Sequence, residues 1–353
     1  MKIKVVISIL IAFILNLSCN KCELIEQTIT TPTVKCEGSF FINKRQPGGT
    51  DLEFTFNEFR KPYPIPFITV EREGPFPVGI SFSTMVSNFS TYDPISKRYF
   101  FEYFNPQANT IVVVHSDNTT ASTSSFSDPK NNYVGPVYAN GKLYAIKLDQ
   151  LNPGVNYQIV EIDPVTGQQI NILISKSFVG NSPYLARYLS SVSNGNNLLY
   201  FLSGTNLVEY NISANSSTNY EIDSNYDPVD NNVQYYGLEY EKDKDQLIAM
   251  KNTFNTMTPT TTELVSIKVS GNATIVTKVF DITANLPVTH NKDINPEFYS
   301  TTFDSCDNSY YITEVQSFSP FTTNLFEINL KQNTFNSQLL SEYWYGIEFV
   351  PKL

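Results

Sequence analysis

Histidine occurs only twice in these 353 residues, tryptophan once and cysteine four times. Two histidines, His115 and His290, argue against a histidine-rich metal centre or a histidine-ligated haem, and a Ser-His-Asp site would have to use one of them. His115 ends the apolar run that starts at Ile111, and His290 sits in the polar stretch Thr289-His290-Asn291-Lys292-Asp293. Neither lies beside a serine nucleophile motif, so both read as ordinary surface histidines and no catalytic residue is assigned. Basic residues are also scarce: 24 Lys and Arg stand against 34 Asp and Glu, a formal charge of −10. Without a basic cluster there is no surface to release phosphate counterions, which argues against binding DNA or RNA. No phosphate-cradling glycine loop, dinucleotide fingerprint or long amphipathic helical pattern is present.

What the chain does contain is a recurrent pair of short apolar runs. The first run of each pair opens at Tyr99, Leu143, Leu199, Leu247 and Tyr310, at spacings of 44 to 63 residues. The second alternates, as in Tyr157-Gln158-Ile159-Val160-Glu161-Ile162 and Leu325-Phe326-Glu327-Ile328. Alternation at period two puts neighbouring side chains on opposite faces of a strand, so each repeat supplies at least two antiparallel strands. Between the runs lie Asp93-Pro94, Asn140-Gly141, Asn194-Gly195 and Ser270-Gly271-Asn272. Asn and Gly tolerate positive φ and Pro presets one turn dihedral, so these are hairpin positions. The 22 Tyr and 25 Phe read as packing residues of strands.

Tyr345-Gly346-Ile347-Glu348-Phe349 nearly copies Tyr236-Gly237-Leu238-Glu239-Tyr240, about two repeats earlier. The chain thus stops just after opening a new repeat, which would expose an unpaired edge. Ser39-Phe40-Phe41-Ile42 and Leu52-Glu53-Phe54-Thr55-Phe56 read as the missing inner pair. The expected architecture is therefore all-β: a six-bladed β-propeller over residues 38–353, closed by pairing of N- and C-terminal strands. An open β-solenoid or a pair of sandwiches is the alternative.

The strand-then-polar-turn pattern of Ile162-Asp163-Pro164-Val165-Thr166-Gly167, echoed by Tyr210-Asn211 and Ile328-Asn329, resembles the broad six-bladed propeller group of the YVTN and quinoprotein-like kind. That group includes extracellular binding proteins, scaffolds and a few enzymes, so the resemblance implies a fold and no site residue.

Lys2 and Lys4 precede an apolar stretch from Val5 to Leu17, too short for a comfortable membrane span, so residues 1–19 read as an export signal. Residues 20–37 are a polar, Thr-rich tether. Leu15-Asn16-Leu17-Ser18-Cys19 resembles the lipobox of bacterial lipoproteins, with Asn16 where that motif has an apolar residue. The resemblance implies a diacylglyceryl group on Cys19 and a bacterial outer-membrane or cell-surface lipoprotein, touching the membrane only through that anchor. A plain signal peptide and a secreted protein is the alternative. Cys22, Cys36 and Cys306 then remain as disulfide candidates, with Cys36–Cys306 or Cys22–Cys36 as the pairing.

Asp223, Asp227 and Asp230 form an acidic loop that offers oxygen ligands to Ca²⁺, although it lacks the glycine and terminal glutamate of a dedicated calcium loop. Glu241-Lys242-Asp243-Lys244-Asp245 reads instead as a charged hairpin tip. Outside the signal, five Asn-X-Ser/Thr triplets, at Asn88, Asn118, Asn211, Asn215 and Asn272, are no more than chance gives in a chain so rich in Asn, Ser and Thr. Two functions follow as expectations. The first is a monomeric, non-catalytic binding protein taking a protein or glycan ligand on a ring face, with no clustered titrating groups on the axis. The second is a calcium-dependent hydrolase or lactonase, in which acidic side chains from different blades converge at the axis.

Overall fold

The computed structural model describes residues 37–45, 54–60, 65–72, 90–105, 108–115, 123–127, 132–148, 156–165, 168–177, 189–222, 233–255, 258–290, 293–295, 299–318 and 321–351. Apart from a 3-10 turn at Thr283–Asn285, their regular structure is β-strand. No helix among the described residues is long and apolar enough to cross a membrane.

The strands form six antiparallel four-stranded sheets. One sheet holds β1 (Gly38–Arg45), β2 (Phe54–Arg60) and β3 (Ile65–Arg72) together with the last strand of the chain, β24 (Tyr343–Pro351). The next is β4 (Ser90–Asp93), β5 (Arg98–Asn105), β6 (Ala108–His115) and β7 (Thr123–Ser127). Then come β8 (Asn132–Ala139), β9 (Lys142–Leu148), β10 (Asn156–Ile162) and β11 (Gln169–Ser177). The fourth is β12 (Ser190–Ser193), β13 (Leu198–Ser203), β14 (Asn206–Asn211) and β15 (Ser216–Glu221). β16 (Val233–Glu241), β17 (Gln246–Asn255), β18 (Thr258–Ser270) and β19 (Ala273–Asp281) make the fifth. β20 (Tyr299–Asp304), β21 (Ser309–Phe318), β22 (Phe321–Asn329) and β23 (Thr334–Leu340) make the sixth.

The paired runs of the repeat are the second and third strands of the sheets, and where their burial is described, as at Leu199–Leu202 and Leu207–Tyr210, nearly every side chain is buried. The largest apolar clusters lie between sheets: Tyr144, Ile146 and Ile159 pack against Leu199, Phe201 and Val208, and Ile248, Met250 and Leu264 against Tyr310, Ile312 and Phe326. At roughly 25 cal/mol per Å² of apolar area, this sheet-on-sheet burial is the main stabilising contribution. The first strands touch one another in cyclic order, β4 to β8, β8 to β12, β12 to β16, β16 to β20, β20 to β24 and β24 to β4. Six small sheets stacked radially around their first strands make a six-bladed propeller.

β1 lies antiparallel to β24, with Phe40 opposite Phe349 and Ser39 opposite Val350. Phe40, Phe59, Trp344 and Phe349 bury together there with Tyr311 and Leu325 of the preceding blade. The N-terminal pair expected from the sequence forms the second and third strands of this blade, and the axial strand comes from the C-terminus.

The acidic and amide turns have a direct cause. Asp93 Oδ1 accepts the N–H groups of Ile95 and Ser96, Asp304 Oδ1 those of Cys306 and Asp307, and Asn329 Oδ1 that of Gln332. Each side chain satisfies turn donors that the ladder leaves open. Positive φ at Lys97, Asp245, Asn308 and Asn333 then brings the chain into the next strand.

Candidate functional site

All six first strands line one axial cup of about 360 Å³. It opens on the face of the turns from first to second strand, where Pro94, Asn194, Lys242 and Ser305 stand at its edge. Three of the six strands are interrupted alike. The ladder slips between Val134 and Val137 in β8, between Tyr236 and Glu239 in β16, and opposite Phe41 and Asn43 in β24. Each slip contains a glycine with positive φ: Gly135 at 61°, Gly237 at 65° and Gly346 at 66°. Such a bulge opposes two residues to one and re-aims the side chain that follows. A Cβ on Gly237 would lie 2.5 Å from the Tyr310 hydroxyl oxygen, so only glycine fits. That hydroxyl donates to the Gly237 carbonyl, and the Tyr99 hydroxyl donates to the Gly346 carbonyl.

The alternate first strands, β4, β12 and β20, carry hydroxyls instead. Ser190 accepts the Leu238 N–H at 3.2 Å, Ser300 the Ile347 N–H at 3.1 Å, Thr302 the Phe349 N–H at 2.7 Å and Thr91 the Tyr138 N–H at 3.1 Å. An axial strand has a sheet neighbour on one side only, and these hydroxyls occupy the donors on its free edge. The six strands thus alternate, bulged and hydroxyl-bearing, in three pairs around the axis.

At the re-aimed position the three bulged strands carry Val137, Glu239 and Glu348. Thr301 donates its hydroxyl to Glu239 Oε1 at 2.8 Å, and Ser90 donates to Glu348 Oε2 at 3.5 Å. Both glutamates are half-buried and line the cup. Loss of hydration pushes Glu239 up to about 8 from 4.5, against the hydrogen bonds from Thr301 and the Phe303 backbone. Glu348 is raised well above its ordinary range, first by burial and then by the neighbouring Glu239 charge. Two carboxyls therefore share one field, and burial and the neighbouring charge both favour their protonated forms. Hydroxyls of Thr301, Thr302 and Ser191 and the rings of Tyr92, Tyr138 and Tyr240 complete the wall. Such a wall offers donors and acceptors beside aromatic side chains, with Tyr92 stacked on Phe41, Tyr138 on Phe100 and Tyr240 on Tyr200.

Cys19, Cys22, Cys36, Asp223, Asp227 and Asp230 fall outside the described residues. Cys306 is disulfide-bonded and packs against the Phe40 and Trp344 cluster. His115 ends β6, opposite Arg98. The surface reading of His290 is corrected: its side chain is 5% exposed, its Nε2 is 2.5 Å from Glu314 Oε2, and its ring meets Phe326 edge-on. The segment after β19 tucks inward, burying Ile294, whose N–H reaches the Thr262 hydroxyl, while the Asn295 N–H reaches Glu314 Oε1. The Glu241 to Asp245 segment is a hairpin tip, with Lys244 on Glu241 at 2.8 Å. Among the described residues, no three His, Cys, Asp or Glu side chains are grouped to hold a metal ion.

Glu239 and Glu348 were not singled out as site residues in the sequence. The signal was present: both occupy the same place in the two near-copies Tyr-Gly-X-Glu, as acids within apolar strands.

No protein-family model matches the chain, and no curated protein matches it either. Among solved structures, TolB from Acinetobacter baumannii is similar at a TM-score of 0.56 and 11% identity, over 89% of this chain and 67% of that one. A nidogen/laminin complex is similar at 0.49 and 9% identity, over 89% and 98%. A Lactobacillus plantarum protein gives 0.48 and 8%, over 89% and 99%. At such identity the likeness to TolB speaks for fold alone, and with six four-stranded sheets around one axis it makes this chain a β-propeller protein.

Proposed function

We propose that this is an exported, non-catalytic binding propeller whose axial cup seats the end of a glycan. The observation that carries this reading is the cup wall: hydroxyls, two carboxyls and tyrosine rings converge from six strands on about 360 Å³. Hydroxyl and carboxyl groups exchange hydrogen bonds with sugar hydroxyls, and ring faces cover the apolar C–H faces of a pyranose. We infer further that the β1–β24 pairing closes the ring and so gives the cup its sixth wall. Export through residues 1–19, with Cys19 acylated, is the matching expectation for a surface receptor.

The test is a glycan array probed with the wild type and with Ser191→Trp, which fills the cup. Binding that the tryptophan abolishes supports the proposal. Binding that survives it, or no binding to any glycan, removes it. Intact mass of the mature N-terminus checks the anchor: an unmodified Cys19 discards the lipoprotein reading.

A calcium-dependent hydrolase is favoured by one specific observation, that Glu239 and Glu348 reach the axis from different blades. A melting temperature unchanged by Ca²⁺ or EDTA removes that reading, since a tightly held ion stabilises by its binding free energy.

A further inference from the structure

Three Asn-X-Ser/Thr triplets lie within the described residues: Asn211-Ile212-Ser213, Asn215-Ser216-Ser217 and Asn272-Ala273-Thr274. Composition alone accounts for their number and not for their placement. Most of the described residues are in strands, yet all three asparagines lie at the turns that join the third strand of a blade to its fourth. Asn272 is the second residue of the two-residue turn Gly271-Asn272 between β18 and β19, and it is exposed. Asn215 closes the turn between β14 and β15 with φ of 45° and is exposed, and half-buried Asn211 opens that turn.

The hydrogen bonding separates the two ends of the Asn215 and Asn211 amides, while among the described residues the Asn272 amide has no partner at either end. Asn215 Oδ1 accepts the Tyr210 hydroxyl at 2.9 Å, and Asn211 Oδ1 accepts the Ala214 N–H at 2.9 Å. Only the oxygens are used. Among the described residues, Nδ2 of Asn211, Asn215 and Asn272 makes no hydrogen bond. A group attached to Nδ2 leaves Oδ1 an acceptor, so both turn-holding bonds survive the attachment.

Asn329 shows the contrast. It stands at the place in the β22–β23 hairpin that Asn211 holds in β14–β15, and its Oδ1 likewise accepts an N–H three residues on. Its Nδ2, however, is spent inside the fold, on the Asp307 carbonyl at 3.1 Å and the Ser309 hydroxyl at 3.0 Å. There the following residues are Leu330 and Lys331, and the triplet is absent. At this one pair of equivalent positions, the triplet is absent where the amide nitrogen is bonded inside the fold and present where it is not.

We propose that Asn272 and Asn215 carry N-linked glycans. The donor is a polyprenyl diphosphate-linked oligosaccharide: the Nδ2–C1 bond forms, the C1–O bond to the diphosphate breaks, the diphosphate leaves with the bonding pair, and one amide proton passes to a base of the transferase. This rests on the export reading, because the transfer occurs on exported chains. Successive strands reverse direction, so these turns lie at the same end of their blades as the mouth of the cup. Glycans there would stand on the outer rim of two adjacent blades, leaving the cup open while shielding that sector from a flat protein partner.

The experiment is peptide mass spectrometry of the full-length protein isolated from its own cells, with and without peptide N-glycosidase in heavy-oxygen water. The expected result is glycosylated Asn272 and Asn215 peptides, each released as Asp bearing the heavy label. Thr274→Ala, which removes the acceptor hydroxyl and leaves Asn272 itself in place, should abolish the first glycan alone. Unmodified Asn272 and Asn215 overturn the inference. The N-terminal peptide of the same digest shows separately whether the export reading has failed, because a retained leader means an unexported chain.

Discussion

Replacing Glu239 by glutamine should make the protein more stable in alkali and leave it nearly unchanged in acid. The folded carboxyl titrates at about 8, raised from 4.5 mainly because burial strips its hydration. Between those values the unfolded chain gives up a proton that the folded chain keeps. The contribution to stability is therefore complete below about pH 4.5 and is lost as pH rises through about 8. At roughly 1.4 kcal/mol for each unit of pH, the whole rise corresponds to at most about 5 kcal/mol. The carboxyl touches cup water, which lowers the realised effect to about 2 kcal/mol. Glutamine stays neutral at every pH and keeps an oxygen for the Thr301 hydroxyl. Urea unfolding at pH 4 and pH 8.5 measures the difference: matched midpoints at pH 4, and a variant midpoint higher by roughly 0.7 M at pH 8.5 for a slope of about 3 kcal/mol/M. Glu348→Gln should act in the same direction. The double variant should gain less than the sum, since the mutual repulsion is removed only once. Parallel pH profiles for wild type and Glu239→Gln, or a lower variant midpoint at pH 8.5, would refute the reasoning.

Gly237→Ala should cost about 2–4 kcal/mol in thermal or urea unfolding, because its φ of 65° and the Tyr310 oxygen 2.5 Å from the new Cβ act together. Gly141→Ala, at φ of 78° but with nothing within 4 Å, should cost only about 1 kcal/mol, and an equal loss at the two sites would count against the packing argument. Tyr310→Phe leaves the buried Gly237 carbonyl without that donor and should cost about 1–2 kcal/mol by the same assay. His290→Ala strands Glu314 in the interior; it should cost about 3 kcal/mol and speed hydrogen exchange at Ile294, whereas a surface histidine would do neither.

What was legible in the sequence was the part of each blade that obeys one rule. The second and third strands pack on both faces, so Leu199 to Leu202 and Leu207 to Tyr210 show as apolar runs with turn residues between them. Fourth strands such as Ser216–Glu221 and Thr334–Leu340 are largely exposed and carry too few apolar residues to show a period. First strands are the least regular. Three are broken by a glycine bulge, and β4, β12 and β20 put Ser or Thr where alternation would ask for an aliphatic residue, because their hydroxyls serve the neighbouring strand. The site is built from these irregular strands, which is why the fold could be read before the site. Tyr-Gly-X-Glu was visible twice, as a sign of repetition; that its glutamates meet depends on ring geometry that no linear spacing encodes. His290 was misplaced for a related reason, since its neighbours in sequence are polar while its neighbours in space are Phe326 and Glu314.

The cup exists only if strands from the two ends of the chain share one blade. Ser39 and Val350 stand opposite each other in β1 and β24, a spacing that a disulfide can span. The decisive measurement is therefore peptide mapping of a Ser39→Cys/Val350→Cys variant oxidised under native conditions. A blade shared by β1 and β24 gives a cross-linked peptide joining positions 39 and 350 in nearly every molecule, and a higher melting temperature that reduction reverses. Two free thiols after native oxidation would contradict it.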